Sequence, residues 1–198
     1  MRARRWTAFL ETFPEVSEYR ILDLGGTADF WHRSQLRPHR VTVVNLTEPG
    51  TPNGWIDAVI GDACTYRPTG EFDLVISNSL LEHVGGHARR RELAAVIQDA
   101  APRHWVQTPY RYFPVEPHWL CPGMQFLPVS TRSTIARRWP LAHSRAADRH
   151  EAVDSVLWTE LIGRTEMVEL FPDSHVFFEL MLGLPKSLLA VRTQNLSH

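Results

Sequence analysis

Short apolar runs rich in Val, Ile and Leu recur along the chain, and the stretches between them are long enough to form helices. This alternation is typical of a mostly parallel sheet whose strands are connected by helices. The predicted strands cover residues 20–24, 40–45, 58–61, 72–77, 104–108, 175–182 and 187–192.

Two longer segments have the spacing of amphipathic helices. In residues 89–101, apolar side chains recur at i, i+3, i+4 and i+7, and Pro102 forbids a continuation. A second helix is predicted over residues 155–170, where Pro172 follows its end. The buried side of this second helix is expected to carry Leu157, Leu161 and Val168.

The last two predicted strands are separated by residues 183–186 alone. Parallel neighbours need a crossover of a dozen or more residues, so this pair must form an antiparallel hairpin. The pattern therefore predicts an α/β fold with a mostly parallel sheet that ends in an antiparallel hairpin.

Length and composition favour an ordinary globular protein. The 198 residues suit a single domain, 1–198, because that length closes one buried core. A net charge of −1 offers no general attraction to a phosphate backbone, so no nucleic-acid partner is expected. No stretch has the features of a signal peptide or a membrane span, and Cys64 and Cys121 fit reduced thiols. The expected location is the cytoplasm, without membrane partners, and a homodimer is left open.

Residues 109–154 differ in character from the rest of the chain. They contain six prolines, many aromatic residues and three histidines. Since the segment is too long for a plain connector, it is predicted to be a functional insertion, or lid, over one edge of the domain.

The segment ILDLGGT at residues 21–27 is an apolar strand that runs into a glycine turn. Glycines allow close backbone approach to a ligand, and the N-terminus of a following helix offers N–H groups to an anion. Such a site could hold a dinucleotide pyrophosphate or the carboxylate of a methionine moiety. The dinucleotide pattern G-x-G-x-x-G is absent, because residues 28–31 lack the third glycine.

Four ordered elements resemble the class I S-adenosylmethionine-dependent methyltransferases from about residue 19 onward. They are ILDLGG at 21–26, VVNL at 43–46, GDA at 61–63 and FDLVISNSLLEHV at 72–84. The resemblance implies a Rossmann-like seven-stranded sheet of order 3-2-1-4-5-7-6 with helices on both faces. It also implies S-adenosylmethionine as the cofactor.

The same resemblance assigns residues to the methyl donor. Asp23, Gly25 and Gly26 would line its methionine part. Asp62 would accept a hydrogen bond from the adenine amino group, and the backbone N–H of Ala63 would lie near the adenine ring.

Two further donor positions come from the ends of the second and fourth strands. Asn78 and Ser79 would sit beneath the sulfonium. Where the family usually has an acid to bind the ribose hydroxyls, this chain has Asn45, whose amide can still accept one hydroxyl hydrogen bond.

The segment after the fifth strand is similar to that of a small bacterial subset of these methyltransferases, with the thread T-P…F-P-x-E-P-H. Glu116 and His118 project to the same side of an extended segment. We expect His118 to be a general base and Glu116 its partner. Two alternatives stay open: the pair pins the loop by hydrogen bonds, or it binds a divalent ion together with Glu82 or His83. Since the spacing matches no established motif, no metal site is predicted.

Four aromatic or polar rings are expected near the acceptor, and they suit a sugar ring or an aromatic metabolite. They are Tyr110, Tyr112, Trp119 and His143. The predicted function is therefore methyl transfer to a small-molecule hydroxyl, with a carbohydrate hydroxyl as the first choice. The alternatives are N- or C-methylation of a small metabolite, or a methyltransferase-like protein that binds a partner without turnover.

Overall fold

The computed structural model describes residues 2–141 and 146–193, and a seven-stranded sheet forms its centre. The strands, including a separate two-stranded hairpin, are β1 (Arg20–Leu24), β2 (Arg40–Asn45), β3 (Ile56–Ile60), β4 (Leu74–Asn78), β5 (Arg103–Pro109), β6 (Val115–Glu116), β7 (Cys121–Pro122), β8 (His175–Met181) and β9 (Leu184–Arg192).

The sheet order is β3-β2-β1-β4-β5-β9-β8. Neighbours from β3 to β5 are parallel, whereas β9 runs antiparallel to both β5 and β8. With the separate β6–β7 hairpin left out of the numbering, this is the order 3-2-1-4-5-7-6. The predicted fold class and its C-terminal hairpin are confirmed.

Helices cover both faces of the sheet. They are α1 (Arg2–Thr12), α2 (Ala28–Arg33), α3 (His87–Ala100), α4 (Val129–Arg138), α5 (Arg149–Trp158) and α6 (Arg164–Leu170). Because successive strand residues face opposite sides, Ile21 packs in a core with residues of α1 and α2. Leu22 and Leu24 belong to the opposite core, which includes residues of α3 and α6.

The predicted helix over residues 155–170 is wrong as one element. It is two helices, α5 and α6, separated by residues 159–163. Within this break the Glu160 N–H donates to the Glu82 carbonyl at 2.8 Å, and the Ile162 carbonyl accepts from the Arg111 N–H at 3.0 Å. Tertiary hydrogen bonds therefore replace helical ones here. Leu157 and Val168, which were expected to be buried, are 59% and 38% exposed, whereas Leu161 is buried.

Residues 110–163, between β5 and α6, form a segment that we call the insertion. It contains the β6–β7 hairpin, α4 and α5, and α5 extends beyond residue 154. Its own small core consists of Trp119, Cys121, Met124, Ala136, Ala152 and Val156. None of the helices in the described part of the chain has the length and apolar character that crossing a membrane requires.

Candidate active site

The glycine turn after β1 passes directly over a carboxylate. Gly25 has φ of +84°, a left-handed conformation that favours glycine, and its N–H donates to the Val44 carbonyl at 2.8 Å. A Cβ on Gly26 would lie 2.0 Å from the Asp23 Oδ2 atom. The backbone can therefore follow this path only because both positions lack a side chain.

Asp23 is a buried carboxylate with one direct side-chain partner. It is 4% exposed, and its Oδ2 accepts a 2.7 Å hydrogen bond from Nε1 of Trp31 in α2. Burial raises the pKa of Asp23 to about 6, although the Trp31 hydrogen bond offsets part of that rise. Trp31 was not predicted as a partner of Asp23. The sequence feature that could have indicated it is the indole N–H of a tryptophan in the helix after the turn.

Asn45, at the end of β2, braces the glycine turn. Its Nδ2 donates to the carbonyls of Gly26 at 3.0 Å and Gly25 at 3.4 Å. Its Oδ1 accepts from the N–H of Thr47 at 3.3 Å. Backbone groups thus engage both ends of the amide that was expected to contact the ribose.

Asp62 follows β3 and is held by an arginine that was not predicted. Its Oδ2 forms a short ion pair with Arg89 of α3, and its Oδ1 accepts from the Cys64 N–H at 3.0 Å. Partial burial raises the pKa of Asp62, but the hydrogen bonds from Arg89 and Cys64 outweigh it and leave the pKa below its ordinary value. Ala63 is buried beside this carboxylate.

Asn78 and Ser79 lie where β4 ends. Both are exposed, and Ser79 has φ of +54°. The Ser79 N–H donates to the Gln107 carbonyl at 2.8 Å, and its hydroxyl donates to Gln107 Oε1 at 3.3 Å. Gln107 Oε1 also accepts from Arg5 of α1 at 2.7 Å. The N-terminal helix is thereby connected to the turn after β4.

The residues predicted for the donor lie along one edge of the sheet. They follow the carboxyl ends of the adjacent strands β3, β2, β1 and β4. In open α/β sheets, ligands bind in the crevice outside these strand ends. We call this region the donor edge; its members are Asp23, Gly25, Gly26, Asn45, Asp62, Ala63, Asn78 and Ser79.

Glu116 is the centre of a second polar group in the insertion. It is 1% exposed, and its Oε2 accepts the backbone N–H groups of His118 and Trp119, each at 2.8 Å. Its Oε1 lies 2.7 Å from Nδ1 of His118. Glu116 therefore pins the loop by hydrogen bonds, as one of the open alternatives had it, and also orients the imidazole of His118.

His118 faces a second histidine. Its Nε2 lies 3.1 Å from Nε2 of His83, and the two rings are nearly perpendicular. Burial and then the charge of His118 lower the pKa of His83 to about 4, against smaller opposing effects of Glu116 and the Trp158 backbone carbonyl. His83 is therefore a neutral imidazole at the site.

Glu82, next to His83, is a second carboxylate with 1% exposure. Its Oε2 accepts a hydrogen bond from the Thr108 hydroxyl at 2.8 Å. Its Oε1 is buried and forms no hydrogen bond with any described residue. Burial raises the pKa of Glu82 to about 7, and hydrogen bonding from Thr108, the charge of His118 and the hydroxyl of Ser79 offset part of that rise. Ser79 thus connects the donor edge to this group.

We call Glu82, His83, Glu116 and His118 the histidine cluster. Its members come from the short 3-10 helix Leu81–His83, from the end of β6 and from the loop that follows β6. Ligand atoms of Glu82, His83 and His118 lie within 4.8 Å of one another. The sequence signals for Glu82 and His83 were present in the LLEHV motif, but their approach to His118 depends on the path of the insertion.

The four expected acceptor rings have different surroundings. Tyr110 packs against Phe178, with ring centroids 4.9 Å apart. Tyr112 is 61% exposed and stacks on Phe126 at 6.0 Å. Trp119 is only 6% exposed and belongs to the insertion core. His143 lies outside the described residues.

Solved structures share this fold over nearly the whole chain. An S-adenosylmethionine dependent methyltransferase from Mesorhizobium loti is 18% identical, with a TM-score of 0.56 and coverage of 95% of this chain and 97% of that one. The N-terminal domain of EvdMO1, crystallised in the presence of SAH and D-fucose, is 18% identical, with a TM-score of 0.53 and coverage of 98% and 82%. A Rhodobacter sphaeroides protein assigned as a Zn-dependent alcohol dehydrogenase is 12% identical, with a TM-score of 0.60 and coverage of 97% and 89%.

Further matches are methyltransferases, among them one crystallised with SAH and with SAM. No protein-family model matches the chain, and neither does any curated protein. The chain therefore has the Rossmann-like fold of class I methyltransferases. Since one fold hosts several chemistries, the function has to be argued from the site.

Proposed function

We propose that this chain is an S-adenosylmethionine-dependent methyltransferase that methylates a small-molecule hydroxyl, with a carbohydrate hydroxyl as the first choice. The observation that carries the proposal is the adjacency of two regions. The donor edge ends at Asn78 and Ser79, and the 3-10 helix Leu81–His83, which supplies two members of the histidine cluster, begins directly afterwards. A methyl donor on one side would therefore adjoin groups able to activate an acceptor on the other.

The donor edge fits the proposed cofactor in shape and charge. Gly25 and Gly26 are only partly buried at the strand end, and residues without a side chain allow a ligand to approach the backbone closely. Asp23 is buried without a cationic partner among its direct contacts, which is why its pKa is raised, and the ammonium of a methionine moiety would stabilise its charge. When bound, S-adenosylmethionine supplies a methyl group on a positively charged sulfur.

The histidine cluster supplies the chemistry that a hydroxyl needs, because an alcohol is a poor nucleophile. Glu116 accepts a hydrogen bond from the Nδ1–H of His118, so the proton-accepting nitrogen of His118 is Nε2, which faces Nε2 of His83 at 3.1 Å. With the donor bound, the acceptor oxygen would take the methyl group from the positively charged sulfur, which would keep the electron pair, and His118 would accept the hydroxyl proton at Nε2. A positioned base of this kind contributes roughly 10² to 10⁴ in rate.

Two observations support a carbohydrate acceptor. The stacked pair of Tyr112 and Phe126 offers an exposed aromatic face on the insertion, and aromatic faces suit the apolar side of a sugar ring. The EvdMO1 domain, of the same fold, was crystallised with D-fucose present.

A second candidate is a methyltransferase-like protein that binds a partner without turnover. The specific observation in its favour is that backbone groups engage Asn45, while Arg89 engages Asp62. Both residues were expected to contact the adenosyl part of the donor, and donor binding has to displace or accommodate these contacts.

A transfer assay with radiolabelled methyl donor tests the proposal. The untagged chain is incubated with a panel of sugars, their deoxy analogues and small amines. We expect label in sugars that carry the target hydroxyl and none in the matching deoxy compounds. Transfer only to amines or carbon would contradict hydroxyl methylation, and donor binding without any transfer would favour the second candidate.

The roles of His118 and Glu116 are tested with the variants His118→Gln and Glu116→Gln. Their kcat, acceptor KM and donor affinity are measured separately and compared with those of the unaltered chain. We expect kcat to fall while donor affinity is kept. Near-full kcat in both variants would remove His118 and Glu116 from the chemistry.

A further inference from the structure

We infer that Glu82, His83 and His118 together bind a divalent transition-metal ion of the zinc, cobalt or manganese class. Two imidazoles and one carboxylate come from two segments, Glu82 and His83 from one and His118 from the other, and their ligand atoms lie within 4.8 Å of one another. Transition metals bind well to such a mixture of imidazole and carboxylate ligands, whereas magnesium and calcium favour all-oxygen sites.

The spacing of the two imidazoles already fits an ion. The Nε2 atoms of His83 and His118 are 3.1 Å apart. Two Zn–N bonds of about 2.0–2.1 Å at an angle of about 95–110° place their nitrogens about 3.0–3.4 Å apart. Only the carboxylate has to move closer when an ion binds.

The second ring nitrogen of His118 is placed as in a metal-bound histidine. Such histidines donate their remaining N–H to a carboxylate or a backbone carbonyl. Nδ1 of His118 lies 2.7 Å from Glu116, whereas Nδ1 of His83 is buried without a hydrogen-bond partner among the described residues. With the ring proton on Nδ1 of each histidine, both Nε2 lone pairs are available to an ion between the rings.

Glu82 provides an independent observation that points to the same ligand. Its side chain is almost fully buried, and no residue in the described part of the chain forms a hydrogen bond with its Oε1 atom. A buried carboxylate oxygen without a partner is costly, and a cation is the group that would satisfy it. The second buried carboxylate, Glu116, adds negative charge to the same cluster.

Three protein ligands leave a coordination position open, as catalytic rather than structural zinc sites do. His118 keeps 27% of its side chain exposed, so this position can be reached from outside. The role of the ion rests on the proposed function. The ion would lower the pKa of a bound acceptor hydroxyl, and the hydroxyl proton would then go to solvent water instead of to His118. The binding of the ion does not depend on that function.

Titration of the untagged, metal-stripped chain with Co²⁺, followed by visible absorption, tests the site, and Zn²⁺ competition gives the affinity. We expect one ion per chain. His83→Gln and His118→Gln should each lose more than about 100-fold in affinity, and Glu116→Gln about 10- to 100-fold, since it removes an outer partner. Glu82→Gln keeps an acceptor for Thr108 but loses the charge, and should also weaken binding.

The exposed His39→Ala is the matched control and should bind as the unaltered chain does. Equal affinity in His83→Gln and the unaltered chain, or no Co²⁺ band at all, would overturn the inference. If a histidine variant fails to fold, Glu116→Gln and the Zn²⁺-induced rise in Tm of the unaltered chain decide the question.

Failure of this inference is distinguishable from failure of the proposed function. A chain that binds donor and transfers methyl after metal removal, without a Co²⁺ band, keeps its function and loses the metal site. A chain that binds Co²⁺ through His83 and His118 but never binds donor keeps the metal site and loses the function.

Discussion

The donor edge and the histidine cluster adjoin each other, yet they are built in opposite ways. The donor edge is made of turns that follow consecutive strands, and backbone geometry at Gly25 and Gly26 dominates it. The histidine cluster joins side chains from residues 82–83 and 116–118, and buried charge dominates it. The donor edge is therefore shaped to hold a ligand, whereas the histidine cluster carries side chains that can act on a ligand.

This contrast has a measurable consequence. Substitutions at the donor edge should change donor affinity and stability, whereas substitutions in the histidine cluster should change turnover. The following predictions test whether the two regions have these separate roles.

The largest expected effect is on turnover. His118→Gln should lower kcat by about 10² to 10⁴, because the hydroxyl loses its activating group. Donor affinity, measured by calorimetry, should stay the same. The exposed His39→Ala serves as control, and a large loss of donor affinity in His118→Gln would show that the two regions are not separable.

Asp23→Asn should stabilise the chain at neutral pH while it weakens donor binding. Asp23 has its pKa raised from 3.8 to about 6 by burial, so its contribution to stability is complete below pH 3.8 and is lost as pH rises through about 6. A shift of about two pKa units corresponds to about 3 kcal/mol. The stability gain of the variant over the unaltered chain should therefore grow from near zero at pH 4 to about 3 kcal/mol at pH 7.

Urea unfolding of both chains across this pH range measures the gain. Asp29→Asn is the control, since its side chain is 62% exposed and burial costs it little. A gain that does not change with pH would mean that Asp23 is not a strained buried carboxylate.

Gly25→Ala should cost about 1–2 kcal/mol of stability, because an alanine at φ of +84° adopts a left-handed conformation. Its Cβ would also lie 3.0 Å from Leu80. Gly70→Ala is the control, because no heavy atom lies within 4 Å of its added Cβ. Equal urea midpoints for the two variants would contradict a turn that requires glycine.

The smallest expected effect concerns Arg89. Its ion pair with Asp62 is about one-third exposed on each side, so Arg89→Gln should cost less than about 1 kcal/mol of stability. Donor affinity should rise by up to about fivefold, because donor binding no longer has to break the ion pair between Asp62 and Arg89. A fall in donor affinity would instead place Arg89 in contact with the donor. Arg33→Gln, which removes the exposed pair with Asp29, is the control.

The parts of the molecule that local patterns control were predictable from the sequence. β1 and β2 have the predicted bounds, and the short connection before β9 indicated its hairpin with β8. The glycine turn was predictable because its residues are contiguous. The break between α5 and α6 was not, since it depends on a hydrogen bond from Glu160 to the distant Glu82 carbonyl.

The candidate site follows the same division. Glu116 and His118 are two residues apart, so their pairing could be expected from an extended segment. The approach of His83 to His118 spans 35 positions and depends on how the insertion folds back. Trp31 and Arg89 likewise meet Asp23 and Asp62 through helix packing that periodicity alone does not define.

Calorimetric titration of the chain with S-adenosylhomocysteine tests the account most directly. We predict saturable binding of one molecule per chain, weakened by Asp23→Asn and unchanged by His118→Gln. The absence of saturable binding by the folded chain, or equal affinity in the Asp23→Asn variant, would contradict a methyl-donor site at the carboxyl ends of β1 and β4.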